Sequence, residues 1–147
     1  LYRLADLYLL YAEALNESDG PTQEVYDYIN LVRERASIPT VQEAWTTYST
    51  QPDKFTHKAG MREIIHQERL IELAFEGKRA YDLRRWKKAM SYQNTPVEGW
   101  DILQSETVPY YQKKILFPQK FQTRDYLWPI RENDITVNRK LVQNPGW

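Results

Sequence analysis

The stretch "HQERLIELAFEGKRAYDLRRWKK", residues 66–88, sets the carboxylates of Glu68, Glu72, Glu76 and Asp82 among leucines, arginines and aromatic residues. Two of them, Glu68 and Glu72, stand one helical turn apart. A pair of carboxylates can hydrolyse a glycosidic bond if one stays protonated as acid and the other stays ionised. Two acids stacked on one helical face seldom straddle a scissile bond, and nearby arginines would hold both ionised. A glycoside hydrolase acting through Glu68 and Glu72 is therefore the lesser alternative. The favoured reading is a structural buried ion network of Glu68, Arg69, Glu72, Glu76, Arg79 and Asp82.

On a helical wheel Met61, Ile64, Ile65, Ile71 and Phe75 lie within roughly 120° of one another. Glu68 and Glu72 fall in the same sector, so they are expected to be at least partly buried. A buried carboxylate without a partner would take up a proton instead. Arg79 is the expected partner, because its planar fork can hold a carboxylate in two places. Arg62 and Arg69 are the runners-up. On the next helix Arg79, Asp82, Leu83, Trp86 and Met90 share one face.

Glu63 and His66 make a Glu-x-x-His, the spacing of di-iron bundles, but those sites need two such motifs and two further Glu. Both residues point away from the apolar sector and read as surface residues. No metal ligand set and no cofactor are expected. Trp45, Tyr48, Tyr92, Trp100, Tyr110 and Tyr111 fall in expected loops. Aromatic faces stack on sugar rings, so Trp45, Tyr48, Trp100 and Tyr110 are the ligand-binding candidates, against the plainer role of packing the tail. Trp86 and Trp128 read as core.

The elements that must carry these residues are helical. "LYRLADLYLLYAEALNE" reads as a helix over about 1–16. Arg3, Asp6 and Glu13 share a narrow wedge; Leu1, Leu4, Tyr8, Tyr11, Ala12 and Leu15 fill the opposite face, and further leucines spread round it. Such a helix packs on more than one side. "NESDGP" ends it. A second helix over 22–36 starts after Pro21 and buries Val25, Ile29, Val32 and Ala36 on one stripe. Together they form an αα-hairpin of tetratricopeptide character. Residues 37–55 read as a loop with a turn of helix near Val41–Trp45. Helices follow over 57–76 and 78–90, parted by Gly77. Residues 91–147 read as a long irregular tail wrapping the helices, with a short strand at Lys114–Phe117 and a helical turn at "RENDI". The fold class is mainly α.

Composition narrows the function. The 147 residues carry 20 acidic and 20 basic side chains, so no bulk field draws nucleic acid. With no cysteine, disulfides, thiolate metal sites and thiol nucleophiles are excluded. No apolar run approaches the roughly 20 residues of a membrane-spanning helix. The aromatic share of 14% calls for a core or a ring-shaped ligand to absorb it. The basic run "RRWKK" reads as a solvated helix face. A chain that opens at Leu1 inside a helical pattern reads as a C-terminal piece of a longer protein. Its first helix, stripped of upstream neighbours, should expose an apolar patch.

"ERLIELAFEGKRAYDLRRW" resembles the ER-x-x-EL-x-FEG-x-R-x-x-DL-x-R motif of the SusD/RagB family. The matching positions are Glu68, Arg69, Glu72, Leu73, Phe75, Glu76, Gly77, Arg79, Asp82, Leu83 and Arg85. "RLADLYLLYAEALNE", "INLVRERA", "LWPIRENDI" and the closing "QNPGW" are similar to the same family's flanking segments, in the same order. The resemblance covers nearly the whole chain, 1–147, and reads "QNPGW" as the true end. It implies a non-catalytic nutrient-binding lipoprotein on the outer-membrane surface of Bacteroidota-type bacteria. The implied partners are a TonB-dependent, SusC-like transporter and an oligosaccharide. Membrane attachment is implied only through an N-terminal lipid anchor absent from this chain. A helical-repeat protein–protein interaction module without a transporter is the other alternative.

Overall fold

The structure, a computed structural model, describes residues 3–147. Leu1 and Tyr2, assigned above to the first helix, lie outside the described residues. The chain is mainly α-helical and divides into two compact units at Arg79/Ala80.

The first unit holds α1 (Leu4–Asp19), α2 (Gln23–Arg35), α3 (Val41–Tyr48) and α4 (Lys58–Glu72), with a 3₁₀ turn at Lys54–Thr56. Gly20 ends α1 with φ 83°, and its N–H donates to Asn16 O at 3.1 Å. Only glycine takes that conformation without a Cβ penalty. The chain reverses and α2 packs back on α1, giving the tetratricopeptide-like hairpin. Helix α1 also packs on α4, so it sits between two neighbours. The core joins Leu9 and Ala12 of α1, Val25, Ile29 and Val32 of α2, Val41 of α3, and Met61, Ile64 and Ile65 of α4. Each of the larger side chains contributes about 1.5–3 kcal/mol by leaving water.

Several expectations for this unit are corrected. Residues 41–48 form a full helix, opened by Thr40, whose hydroxyl accepts from Glu43 N–H at 3.2 Å. Helix α4 stops at Glu72 instead of running to Glu76, because Phe75 (φ 64°) and Gly77 (φ 73°) both turn left-handed. That turn swings Phe75 out of the apolar sector, and it and Ile71 are exposed. On α1, Leu4, Leu7 and Tyr11 are exposed, in line with the apolar surface expected there, while Ala5, Leu9 and Ala12 are buried. His66, read as a surface residue, is buried beside Glu13, with Nε2 3.9 Å from Oε1.

The second unit begins within α5 (Lys78–Arg85) and continues through α6 (Ala89–Tyr92), α7 (Thr107–Tyr110) and α8 (Glu132–Val137). The expected 78–90 helix breaks after Arg85, where Lys87 takes φ 55°. Strands β1 (Val97–Trp100) and β2 (Lys113–Phe117) pair antiparallel, with Trp100 opposite Lys113 and an irregularity at Val97/Glu98. A small core gathers Leu83, Ala89 and Phe121 with Trp86 and Tyr126. Asn94 clamps Phe121 from both sides: its Nδ2 donates to Phe121 O at 3.0 Å, and its Oδ1 accepts from Phe121 N–H at 2.7 Å.

The closing "QNPGW" staples the "LWPIREND" segment within this unit. Gln143 Oε1 accepts from Ile130 N–H at 2.8 Å, and its Nε2 donates to Ile130 O at 2.9 Å. Asn144 Nδ2 donates to Trp128 O at 2.6 Å. Trp147 Nε1 donates to the carbonyls of Arg124 and Leu127, both at 3.1 Å. Trp128 itself is 75% exposed, which overturns its reading as core. The staple holds the Trp128 carbonyl and leaves most of the ring exposed.

Candidate functional site

The acids of α1 and the bases of α4 meet in an antiparallel ladder. Arg3, just before α1, reaches Glu72 at 2.7 Å and Glu76 at 2.6 Å. Asp6 lies 3.0 Å from Arg69 and 3.0 Å from Lys78. Glu13 flanks His66 and Arg69 at 3.9 and 4.0 Å. Asn16 Nδ2 donates to Lys58 O at 3.1 Å, and Arg62 Nε reaches Glu17 at 2.5 Å. The narrow polar wedge of α1 thus faces inward. Burial alone would raise the Asp6 pKa, but the cations Lys78 and Arg69 outweigh it and hold the carboxyl below its ordinary value. The Arg62 guanidinium likewise holds Glu17 low.

Helix α2 supplies the rest of the lock. Arg33 pairs with Glu68, and Arg35 reaches Glu72 at 2.5 Å. The Glu68 and Glu72 side chains are 14% and 13% exposed. Their partners are therefore Arg33, Arg3 and Arg35, not Arg79 as the wheel suggested. Arg79 is half-buried at the end of the first unit, and Asp82, in the second, accepts from Arg85 Nε at 2.9 Å. Both carboxylates are thus engaged in ion pairs with guanidiniums of α2 and of the entry to α1. Among the described residues no cluster of three or more His, Asp or Glu side chains could hold a metal ion.

The ligand-binding candidates fall into both units. Trp45 lies half-buried on α3 against the first core, with Lys54 Nζ 5.2 Å from its ring centre. Tyr48, at the end of α3, is exposed. In the second unit Trp100 ends β1 and Tyr110 ends α7. Asp101 N–H donates to Tyr110 O at 3.0 Å, which draws the two ends together. Tyr111 completes the group. Its ring is edge-on to Trp100 at 5.2 Å and to Tyr110 at 5.1 Å, and Trp100 lies 6.3 Å from Tyr110. Trp100 and Tyr111 remain more than half exposed. Asp101, buried beneath, is paired with Lys114, whose ammonium holds its carboxyl below the usual range. The result is an aromatic platform with a fixed charged edge. Asp101 and Lys114 carried no motif in the sequence, because their pairing depends on the hairpin.

The ion-locked αα-hairpin of the first unit gives the chain a helical, tetratricopeptide-like fold. The model of the SusD family matches residues 1–147, and the chain belongs to that family. It is 45% identical to SusD-like protein P25 of Formosa agariphila over 94% of its own length and 24% of the relative's. SusD-like protein P2 of the same organism is 32% identical over 99% of this chain and 25% of the relative. The chain thus spans about a quarter of the length of the curated relatives it matches. Among solved structures, BT4246 superposes with TM-score 0.82 at 35% identity, covering 100% of this chain and 23% of that one. A SusD-like protein (BF3747) from Bacteroides fragilis matches with TM-score 0.74 at 30% identity, over 97% of this chain and 25% of that one. No helix among the described residues is long and apolar enough to cross a membrane.

Proposed function

We propose that this chain is part of a non-catalytic, cell-surface nutrient-binding protein that captures glycans for a TonB-dependent outer-membrane transporter. Within the parent it forms the C-terminal part of the SusD/RagB-like domain, and the parent is a lipid-anchored surface protein. Family membership supports the nutrient-binding role. The observation that carries the reading on this chain is the exposed Trp100–Tyr110–Tyr111 platform. Flat aromatic faces offer the apolar C–H side of a sugar ring a stacking partner, and the neighbouring tyrosine hydroxyls can meet its polar rim. Glu68 and Glu72, the alternative hydrolytic pair, are committed to arginines instead.

The test is a glycan panel screened by calorimetry against the chain and its Trp100→Ala variant. Binding of one polysaccharide class, weakened about tenfold by the substitution, is the expected result. Binding indifferent to Trp100 would move recognition elsewhere. Release of reducing ends from any bound glycan would revive the hydrolase reading.

A further inference from the structure

The second unit holds an open concavity of about 410 Å³, lined by Arg84, Lys120, Phe121, Asp125, Trp128 and Trp147 among others. Its size falls within the roughly 300–1,000 Å³ of small-molecule sites. Its walls are unusual in two respects. The Trp128 ring is 75% exposed although the backbone on which it stands is fixed by Asn144. And the cations are not spent on acids. Arg84 donates to Ala80 O at 3.3 Å and Asp125 O at 3.4 Å, and its guanidinium lies 5.5 Å from the Phe121 ring and 5.8 Å from that of Trp128. Among the described residues it meets no carboxylate, and neither does Lys120. The one carboxylate in the wall, Asp125, is engaged. Its Oδ2 accepts from Gln122 N–H at 2.6 Å, and its Oδ1 lies 3.8 Å from Arg124 Nε.

In the ladder of the first unit, by contrast, Arg3, Arg33 and Arg69 are matched to acids. Here two positive groups and a largely exposed indole ring share one hollow. An anion is the natural complement of the first, and a ring with an apolar face that of the second. We propose that this concavity is a binding subsite for an anionic saccharide, a sugar ring bearing a carboxylate or sulfate. The ring would stack on Trp128 while its acidic group faces Arg84 and Lys120. Trp147, held by its two indole hydrogen bonds and by Arg124 at 4.8 Å from its ring, forms the rigid opposite wall.

The choice of a saccharide over another ring-bearing anion rests on the glycan-binding reading above; the charge and the exposed ring do not. The experiment titrates the chain with tetragalacturonate, a carrageenan tetrasaccharide bearing sulfate, and neutral maltotetraose, read by calorimetry and tryptophan fluorescence. Trp128→Ala and Lys120→Ala both change exposed side chains, so the fold survives them. Binding of an acidic probe should weaken about tenfold in Trp128→Ala. In Lys120→Ala it should weaken on the order of threefold at low salt, with that difference vanishing at high salt. If acidic probes bind but only Trp100→Ala weakens them, this subsite is wrong and the platform carries recognition. If maltotetraose alone binds, the subsite is wrong and the glycan reading stands. If no saccharide binds, both are overturned.

Discussion

Arg69 Nη1 stands 3.0 Å from Asp6 Oδ1, with the two side chains only 2% and 4% exposed. Two charges this far from water attract strongly, but each gave up its hydration to get there. The pair therefore adds little over well-packed apolar residues, while losing one member strands the other. Its partners Lys78 and Glu13 extend the same logic along the interface of α1 and α4.

Arg69→Met should consequently destabilise the chain by about 3–5 kcal/mol, more than any exposed ion pair could. Asp6→Leu combined with Arg69→Met should lose less than the sum of the two single changes. Urea denaturation of all four forms measures the coupling. Strictly additive losses would mean that the pair does not act as a unit.

The acid limb of stability should follow from Asp6 and Glu17. Both carboxyls are held below their ordinary values of 3.8 and 4.5. A depressed pKa in the folded state contributes stability that is present above the unfolded value and lost as pH falls through the folded one. The contribution of these two carboxyls should thus be full from neutral pH down to about 4.5 and then decline. In Asp6→Asn the decline should be shallower. An equal slope in both proteins, by denaturant midpoints at each pH, would remove Asp6 from the account.

Gly60 lies in the first turn of α4, where alanine ordinarily stabilises a helix by up to about 1 kcal/mol. Here the sign reverses. A Cβ on Gly60 would stand 2.1 Å from the Lys54 carbonyl oxygen, a backbone atom of the 3₁₀ turn that cannot step aside cheaply. Gly60→Ala should cost roughly 1–3 kcal/mol, read as a lowered thermal midpoint. A raised midpoint would show that the turn yields.

Phe75 presents the opposite case. Its ring is fully exposed and its φ is 64°, a conformation that asparagine tolerates better than phenylalanine. Phe75→Asn should leave the fold as stable or raise stability by up to about 1 kcal/mol. It should also reduce binding of a hydrophobic dye, since Leu4, Leu7, Ile71 and Phe75 are all exposed on the first unit. A loss of several kcal/mol would reveal packing around Phe75 that this structure lacks.

The helices of the first unit were legible because apolar residues recur with the right period: Val25, Ile29 and Val32 all reach the core. The inward pull on Glu68 and Glu72 was legible on the same grounds. Their partners were not. Arg3 lies 69 positions from Glu72, and Arg33 lies 35 from Glu68, distances over which a wheel says nothing. The wheel also carried Phe75 inward, since nothing in a phenylalanine announces a left-handed turn two residues before a glycine. Trp128 was misread for a similar reason. A tryptophan in an aromatic-rich tail reads as core, whereas the anchors are Gln143 and Asn144, which grip the backbone instead of the ring. The platform of Trp100, Tyr110 and Tyr111 depends on a hairpin whose pairing the irregular-looking tail did not disclose.

The ladder between α1 and α4 has one more consequence. A stripe of Leu, Ile and Ala is nearly the same after sliding by one helical turn, so the oily part of this interface barely distinguishes one alignment from the next. The charges do. Slide α4 one turn in one direction and Glu72 comes to face Asp6, carboxylate against carboxylate. Slide it the other way by the same step and Asp6 faces the imidazole of His66 in place of the Arg69 guanidinium. The observed alignment sets Asp6 against Arg69, Glu17 against Arg62 and Arg3 against Glu72. The buried pairs thus do for this fold what teeth do for a rack: they add little grip, but they fix the step at which the two helices stop.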